Sequence, residues 1–284
     1  MIDRYLLRYF LAVVDHGNFS RAAAICNVSQ PTLSVGIAKL ERELGSRLFL
    51  RSNQRVELTA AGSRFLDHAR RIEREFNLAQ TAMGIATEVP LLRLGVLRSV
   101  SGVSVAAAIA DCGDRLGKIE LVEGTERELA VALARGRIDA ALTLVGRGDD
   151  RWAEEMVAEE GYRLALSERH PLADRASIDA EALGDNVMIV RRHCEMLSET
   201  SRHFTERGVR PHFALRSTND ERILAMVAAG LGVTVIPESL SAPGIVKPRL
   251  SGFDARRRVG FAYPHGRAPG HSVLLDALRT HLTR

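Results

Sequence analysis

Within its first 45 residues this chain packs three short helical patterns between turns so tight that helix must stack on helix. Ile2, Leu6, Tyr9, Phe10 and Val13 recur at helical spacing, predicting a helix over about Ile2–Asp15 that ends at Gly17. Ser20 is the expected N-cap of a second helix running through Arg21 to Cys26. After the short turn at Asn27–Val28, Ser29 is the expected cap of a third helix. Pro31 is tolerated in its first turn, Leu33, Ile37, Leu40 and Leu44 form its buried stripe, and Gly45 stops it. Small residues at Ala22 and Ala23 let two helices cross closely. The order is that of a helix-turn-helix unit; a generic three-helix bundle is the alternative at this point.

From Arg47 to Leu58, apolar positions flank a polar centre rich in turn formers, which reads as a β-hairpin wing carrying Arg51 and Arg55. Thr59 then caps a long helix expected to reach about Thr87, with Leu66, Ala69, Ile72, Phe76, Ala79 and Met83 near coiled-coil spacing. That narrow stripe is buried either on its own domain or, the preferred reading, against a second copy of the chain. Pro90 marks a boundary, beyond which short apolar strands alternate with helices. Strands are expected at Leu92–Leu97, Ile119–Val122, Ile138–Leu144, Tyr162–Leu166, Val187–Val190, His212–Leu215, Val233–Ile236 and Val259–Tyr263. Helices are expected over Val103–Leu116, Glu126–Arg135, Cys194–Arg207, Asp220–Ala229 and Ser272–Leu282. Repeated units of this kind imply an α/β body with a parallel sheet covered on both faces.

With 284 residues, two or three domains are expected. No apolar run is long enough to span a bilayer and no signal-peptide pattern opens the chain, so the expected compartment is the cytoplasm, without a membrane partner. Cys26, Cys112 and Cys194 are far apart with no CxxC, which argues against a metal site. A net charge of +4 is compatible with nucleic acid but does not establish it, and 5% aromatic residues make a stacking platform for single strands unattractive. No GxSxG, P-loop, HExxH or strand-borne GxGxxG is present, and the nine histidines are scattered, so neither an enzyme nor a bound cofactor is expected.

The N-terminal stretch resembles the LysR-type transcriptional regulator family. The matching residues include Phe10–Val14, Gly17-Asn18-Phe19-Ser20-Arg21-Ala22-Ala23, Val28-Ser29-Gln30-Pro31-Thr32-Leu33-Ser34, Glu43-Leu44-Gly45, Leu48-Phe49 and Leu58–Gly62. Further on, Gly136–Ala140 and Val227–Val233 followed by Pro237 are similar to the family's effector-binding half. The resemblance implies a winged helix-turn-helix over 1–58, a dimerising linker helix over 59–89 and an effector-binding domain over 90–284. That domain would form two lobes of the periplasmic-binding-protein type, the first about 90–161 and 264–284, the second about 162–263. It further implies a dimer or tetramer on double-stranded promoter DNA, modulated by a small-molecule co-inducer and contacting RNA polymerase.

On that frame the third helix enters the major groove. Gln30 could pair with adenine, Thr32 could offer its methyl to thymine, and Ser34 can donate or accept. Ser29, Pro31 and the free amides of that helix start would sit near phosphate, as would Ser20 and Arg21, with Arg51 and Arg55 of the wing on backbone or minor groove. Val35-Gly36 departs from the family, where polar or basic groups are usual, and suggests fewer base contacts. Ser99, Ser101 and Thr125 on the first lobe, and Arg191, Arg192, His193, Cys194 and Thr218 on the second, would line a pocket between the lobes for a small organic anion. Each hydroxyl taken singly is as well explained as a helix cap. Cys194, placed at a helix N-terminus beside arginines, should have a lowered thiol pKa. Redox sensing and a structural or pocket-lining role both stay open for it, and no local second cysteine is visible.

Overall fold

The computed structural model describes residues 2–50, 56–83, 91–265 and 272–283. Two compact units divide the chain, one of Met1–Leu92 with Val131–Ile138 and one of Arg93–Ala130 with Asp139–Arg284. The first begins with α1 (Arg4–His16), α2 (Phe19–Ile25) and α3 (Gln30–Glu43). Leu6, Phe10, Val13, Ala22, Ala23, Leu33, Ile37 and Leu40 close into one core. Gly17 ends α1 at φ +61°, its N–H donating to Val13 O, a left-handed position where glycine has no Cβ to clash. Ser20 is not the cap of α2. Asn18 is, because its extended backbone lets one side-chain oxygen accept from both Ser20 N and Arg21 N. Ser29 caps α3 as expected, accepting from Thr32 N.

The wing is an antiparallel pair, β1 (Phe49–Leu50) on β2 (Glu57–Leu58), with Phe49 opposite Leu58. Arg51 and Arg55 lie outside the described residues. Thr59 starts α4 (Ala60–Ala82) by accepting from Gly62 N, while its hydroxyl donates to Arg47 O and ties the helix start to the wing. The expected end of this helix, about Thr87, also lies outside the described residues. Its apolar stripe divides: Leu66 and Ala69 are buried in the unit's own core, whereas Ile72, Phe76 and Met83 are 41%, 44% and 74% exposed.

After α4 the chain runs β3 (Leu92–Leu97), α5 (Gly102–Cys112), β4 (Ile119–Gly124), α6 (Glu126–Ala134) and β5 (Ala140–Leu144), then β6 (Trp152–Ser167), β7 (Ser177–Ile178) and β8 (Val187–Arg191). It continues through α7 (Leu197–Glu206), β9 (His212–Ser217), α8 (Asp220–Ala228), β10 (Thr234–Pro237), β11 (Ile245–Val246), β12 (Arg249–Leu250), β13 (Arg256–Pro264) and α9 (Val273–Leu282). The main sheet has the order β10-β6-β13-β5-β3-β4, with β11 also on β6. It is not the all-parallel sheet that the sequence suggests. β3 and β5 are parallel, but β13 runs antiparallel to both β5 and β6, and β10 antiparallel to β6.

β6 explains the difference. Its 16 residues form one strand, of which the sequence shows only Tyr162–Leu166, because Glu154, Glu155, Glu159 and Glu160 mask the first ten positions. That first part pairs with β13, and from Tyr162 onward β6 pairs with β10 and then β11. In the second lobe β8 and β9 pair in parallel, and Met188 bridges to Val233 beside β10. Phe204 of α7 and Val209 just beyond it pack on one face of these strands. α8 packs with Ile223 and Val227 on the other.

Gly36 has a local reason. It is buried, and a Cβ there would stand 2.6 Å from Tyr9 Cδ2 on α1. The departure at Gly36 is therefore a packing device between α1 and α3, while its neighbour Val35 is 68% exposed. Gly36→Ala gains about 1 kcal/mol of helix propensity but meets an overpacking cost of about 1–3 kcal/mol. The net expectation is faster amide hydrogen exchange in α1 and α3; unchanged or slower exchange would contradict the contact.

Candidate functional site

In the first unit, the start of α3 offers Ser29, Gln30, Pro31 and Thr32 to solvent, with Ser34 half-buried behind them. These groups are already ordered among themselves. Ser29 Oγ and Thr32 Oγ1 share a hydrogen bond of 2.7 Å, and Gln30 Nε2 donates to Ser34 Oγ at 3.1 Å. The second bond occupies one N–H of the Gln30 amide and leaves the other N–H and Oε1, the donor and acceptor that an adenine edge requires. Ser20 and Arg21 are exposed in the first turn of α2.

The residues proposed on the first lobe are engaged locally. Ser101 caps α5 by accepting from Ser104 N, and Thr125 forms a reciprocal capping box with Glu128 at the start of α6. On the second lobe Thr218 is exposed and does not open α8. Asn219 does, accepting from Arg222 N. Cys194 is likewise not at a helix N-terminus. It lies in a turn three residues before α7, its N–H donating to Arg191 O. Its thiol pKa is raised, not lowered: burial pushes it up, and the pull of Arg191 offsets this only in part.

Around Cys194 the structure assembles two buried ionic groups. Arg191, 2% exposed, makes a two-pronged bond to Asp220 at 2.7 and 2.6 Å, and Asp220 also bonds His193 Nε2 at 3.1 Å. Arg192 is exposed. Burial alone would raise the Asp220 carboxyl, but the bonds from Arg191 and His193 bring it down to about 2.

The second group is absent from the sequence reading. Arg257 of β13, 3% exposed, donates to Ser99 Oγ at 2.8 Å and to Ser99 O at 3.0 Å. It also binds Glu195 and Glu160. Tyr162 donates to the same Glu195 oxygen at 2.9 Å. Ser99 belongs to the β3–α5 loop and Glu195 to the β8–α7 turn, so one guanidinium joins the two lobes. Burial would raise Glu195, but the Arg257 charge and the hydrogen bonds from its own backbone N–H, Arg257 and Tyr162 together hold the carboxyl below its ordinary value. Burial pushes the Tyr162 hydroxyl upward, and the Glu195 charge adds to that. Glu195 Oε2, Arg191 Nη1 and His193 Nδ1 are buried without a hydrogen-bond partner. The signal missed in the sequence was the run Arg256–Arg258, which pairs in register with Glu159–Gly161.

Among the described residues no helix is long and apolar enough to cross a membrane, and no group of His, Cys, Asp and Glu could hold a metal ion. Residues 5–63 match the family described as bacterial regulatory helix-turn-helix protein, lysR family, and residues 87–283 match the LysR substrate binding domain. The chain belongs to the LysR family. It is a DNA-binding transcription regulator with an effector-binding domain, not an enzyme. It is 30% identical to the DNA-binding transcriptional dual regulator OxyR of Escherichia coli K12 over 97% of this chain and 94% of that one. A full-length OxyR from Pseudomonas aeruginosa, in a form with one cysteine replaced by aspartate, superposes with a TM-score of 0.73 at 27% identity, covering 98% and 95% of the two chains. The fold is also that of a full-length CbnR complexed with its target DNA, at a TM-score of 0.64, 22% identity and 99% coverage of each chain.

The Arg191–Asp220 pair has a defined cost of removal. Asp220→Asn leaves a buried guanidinium without its counter-charge, and this regulator should lose about 3–5 kcal/mol at neutral pH. The folded carboxyl titrates near 2, below its unfolded value near 3.9, so its contribution is present above about pH 4 and lost as pH falls toward 2. Parent and variant should therefore converge across that window. The fluorescence of Trp152, the only tryptophan, follows unfolding of this unit alone.

Proposed function

We propose that this regulator binds promoter DNA as a dimer or tetramer through α3 and answers an oxidant, hydrogen peroxide, through Cys194. The observation that carries the reading is the position of Cys194, in the turn between Arg191 and Glu195, next to the residues through which the lobes are joined. The relatives add weight: proteins named hydrogen peroxide-inducible genes activator match over 97% of this chain at 30% identity. In the proposed step the Cys194 thiolate attacks one peroxide oxygen. An S–O bond forms and the O–O bond breaks; sulfur is oxidised to the sulfenic acid and the peroxide is reduced to water. Cys112 lies buried in α5 of the first lobe and Cys26 belongs to the other unit, so the sulfenic acid rather than an internal disulfide is the proposed signal. The polar –SOH would disturb Glu195 and with it the Arg257 bridge.

Because burial raises the thiol above its ordinary value of 9.0, the thiolate fraction, and with it the oxidation rate, should still be climbing at pH 9. The test is a footprint upstream of the regulator's own gene at fixed salt, with and without peroxide, read beside the mass of the Cys194 peptide. Protection should shift with peroxide in the parent and not in Cys194→Ser; a shift that survives the serine variant would exclude Cys194. A small organic anion between the lobes is less well provided for. Ser101 and Thr125 cap their helices, Arg191 is held by Asp220, and Arg257 is held by Glu195 and Glu160.

On the DNA side, α3 is proposed to lie in the major groove, with Gln30 on adenine, Thr32 and Ser34 beside it, and Ser20, Arg21, Ser29, Pro31, Arg51 and Arg55 near the backbone. The exposed strip Ile72–Phe76–Met83 of α4 is proposed to meet a second copy, and the DNA-bound assembly to contact RNA polymerase. Gln30→Ala should cost about 1–3 kcal/mol on the preferred site and relax discrimination at one base pair. A uniform loss across all base substitutions in a gel-shift series would instead place Gln30 on phosphate.

A further inference from the structure

Inside the second lobe, away from the Arg257 bridge, lies a cavity of about 630 Å³ between α7 and strands β8, β9 and β10. Its volume falls within the range of about 300–1,000 Å³ typical of small-molecule sites. The wall is mostly apolar, built by Met188, Leu197, Phe204, Val209, Phe213 and Val235. The polar features are one-sided. Arg191, Arg210 and Arg216 line the cavity, and no Asp or Glu does so among the described residues. Arg210 and Arg216 are exposed, and neither has a carboxylate partner among the described residues. Arg216 instead stacks over the ring of Phe213, 5.0 Å from its centroid, and that ring is itself 40% exposed. In the wall, Thr200 Oγ1 is buried without a hydrogen-bond partner, and Arg191 Nη1 is a second buried donor without one.

An apolar body alone would leave the exposed guanidiniums of Arg210 and Arg216 without a counter-charge, and a cation would be repelled by the arginines. We propose that this cavity binds an amphipathic monoanion, an aliphatic or aromatic body bearing one carboxylate. The body lies against Phe204, Val209 and Met188, and the carboxylate is held by Arg210 and Arg216 at the mouth. Cys194 also lines the cavity, so an occupant there would cover its thiol. The inference does not rest on the peroxide reading, because recognition comes from the arginines and the apolar wall.

The test uses the full chain and three probes of equal length in calorimetry: octanoate, octanol and octylamine. Octanoate should bind, octanol about tenfold more weakly, and octylamine not measurably. Arg210→Gln combined with Arg216→Gln should weaken octanoate about tenfold while leaving octanol unchanged. Ser201→Trp, at an exposed lining position of α7, should fill the space and abolish binding, with the cooperative thermal transition in far-ultraviolet circular dichroism retained as proof of folding. Octanoate binding is measured without peroxide, and the peroxide footprint of the Arg210→Gln, Arg216→Gln variant without octanoate should match the parent, so failure of the oxidant reading and failure of the cavity are read separately. Equal binding of octanoate and octanol, binding that survives Ser201→Trp, or no octanoate binding at all would each overturn the proposal.

Discussion

The effector-binding unit depends on one arginine set into a sheet. Arg257 sits in β13, where an aliphatic side chain would ordinarily pack, and is almost wholly removed from water. A buried guanidinium is tolerated only when its charge and its donors are met together. Glu160 and Glu195 supply the charge, and both oxygens of Ser99 take further bonds. Because those partners come from the first strand–helix loop, from β6 and from the turn before α7, satisfying one side chain fixes the mutual placement of three segments. The outer arginines repeat the pattern with less force: Arg256 and Arg258 both hold Glu159 at the surface, where water screens them.

The same ladder accounts for what could and could not be read from the chain. The helix-turn-helix was legible because its local signals agreed along α1 and α3, from the apolar stripe of Leu33, Ile37 and Leu40 to the Ser29 cap. The start of α2 was misplaced by two residues because Asn18 and Ser20 are both able caps, and only backbone geometry decides between them. The first ten residues of β6 were illegible because their glutamates read as a solvated segment. Their partners are about a hundred positions away in β13, and no local window can show that a charge has a mate. The mixed sheet followed from the same omission.

Of the residues expected to line an effector pocket, Ser99, Arg191, His193 and Cys194 lie in or beside the two buried ionic groups, and their places after strands are legible in the sequence. Ser101, Thr125 and Thr218 show the ambiguity of hydroxyls in such loops: two are caps and one is exposed. Glu195, Tyr162 and Arg257 were missed for different reasons. Glu195 is indistinguishable in sequence from a surface acid, Tyr162 reads as a core aromatic, and Arg257 is hidden in a basic triplet that suggests solvent.

β6 leaves the first lobe at Gly161, and β13 re-enters it at Arg256, its register partner, earlier than the boundary at 264 expected from the sequence, because β13 pairs with β5 as well as with β6. The two covalent crossings between the lobes are therefore side by side, about 5 Å apart, as paired residues of neighbouring strands are. A joint that narrow works as a pivot, and the lobes act as long arms on a short fulcrum. Arg257 grips one residue from that fulcrum, where its mechanical advantage is least and its displacement for a given swing is smallest. Any change in the grip would thus be enlarged in proportion to distance from the joint.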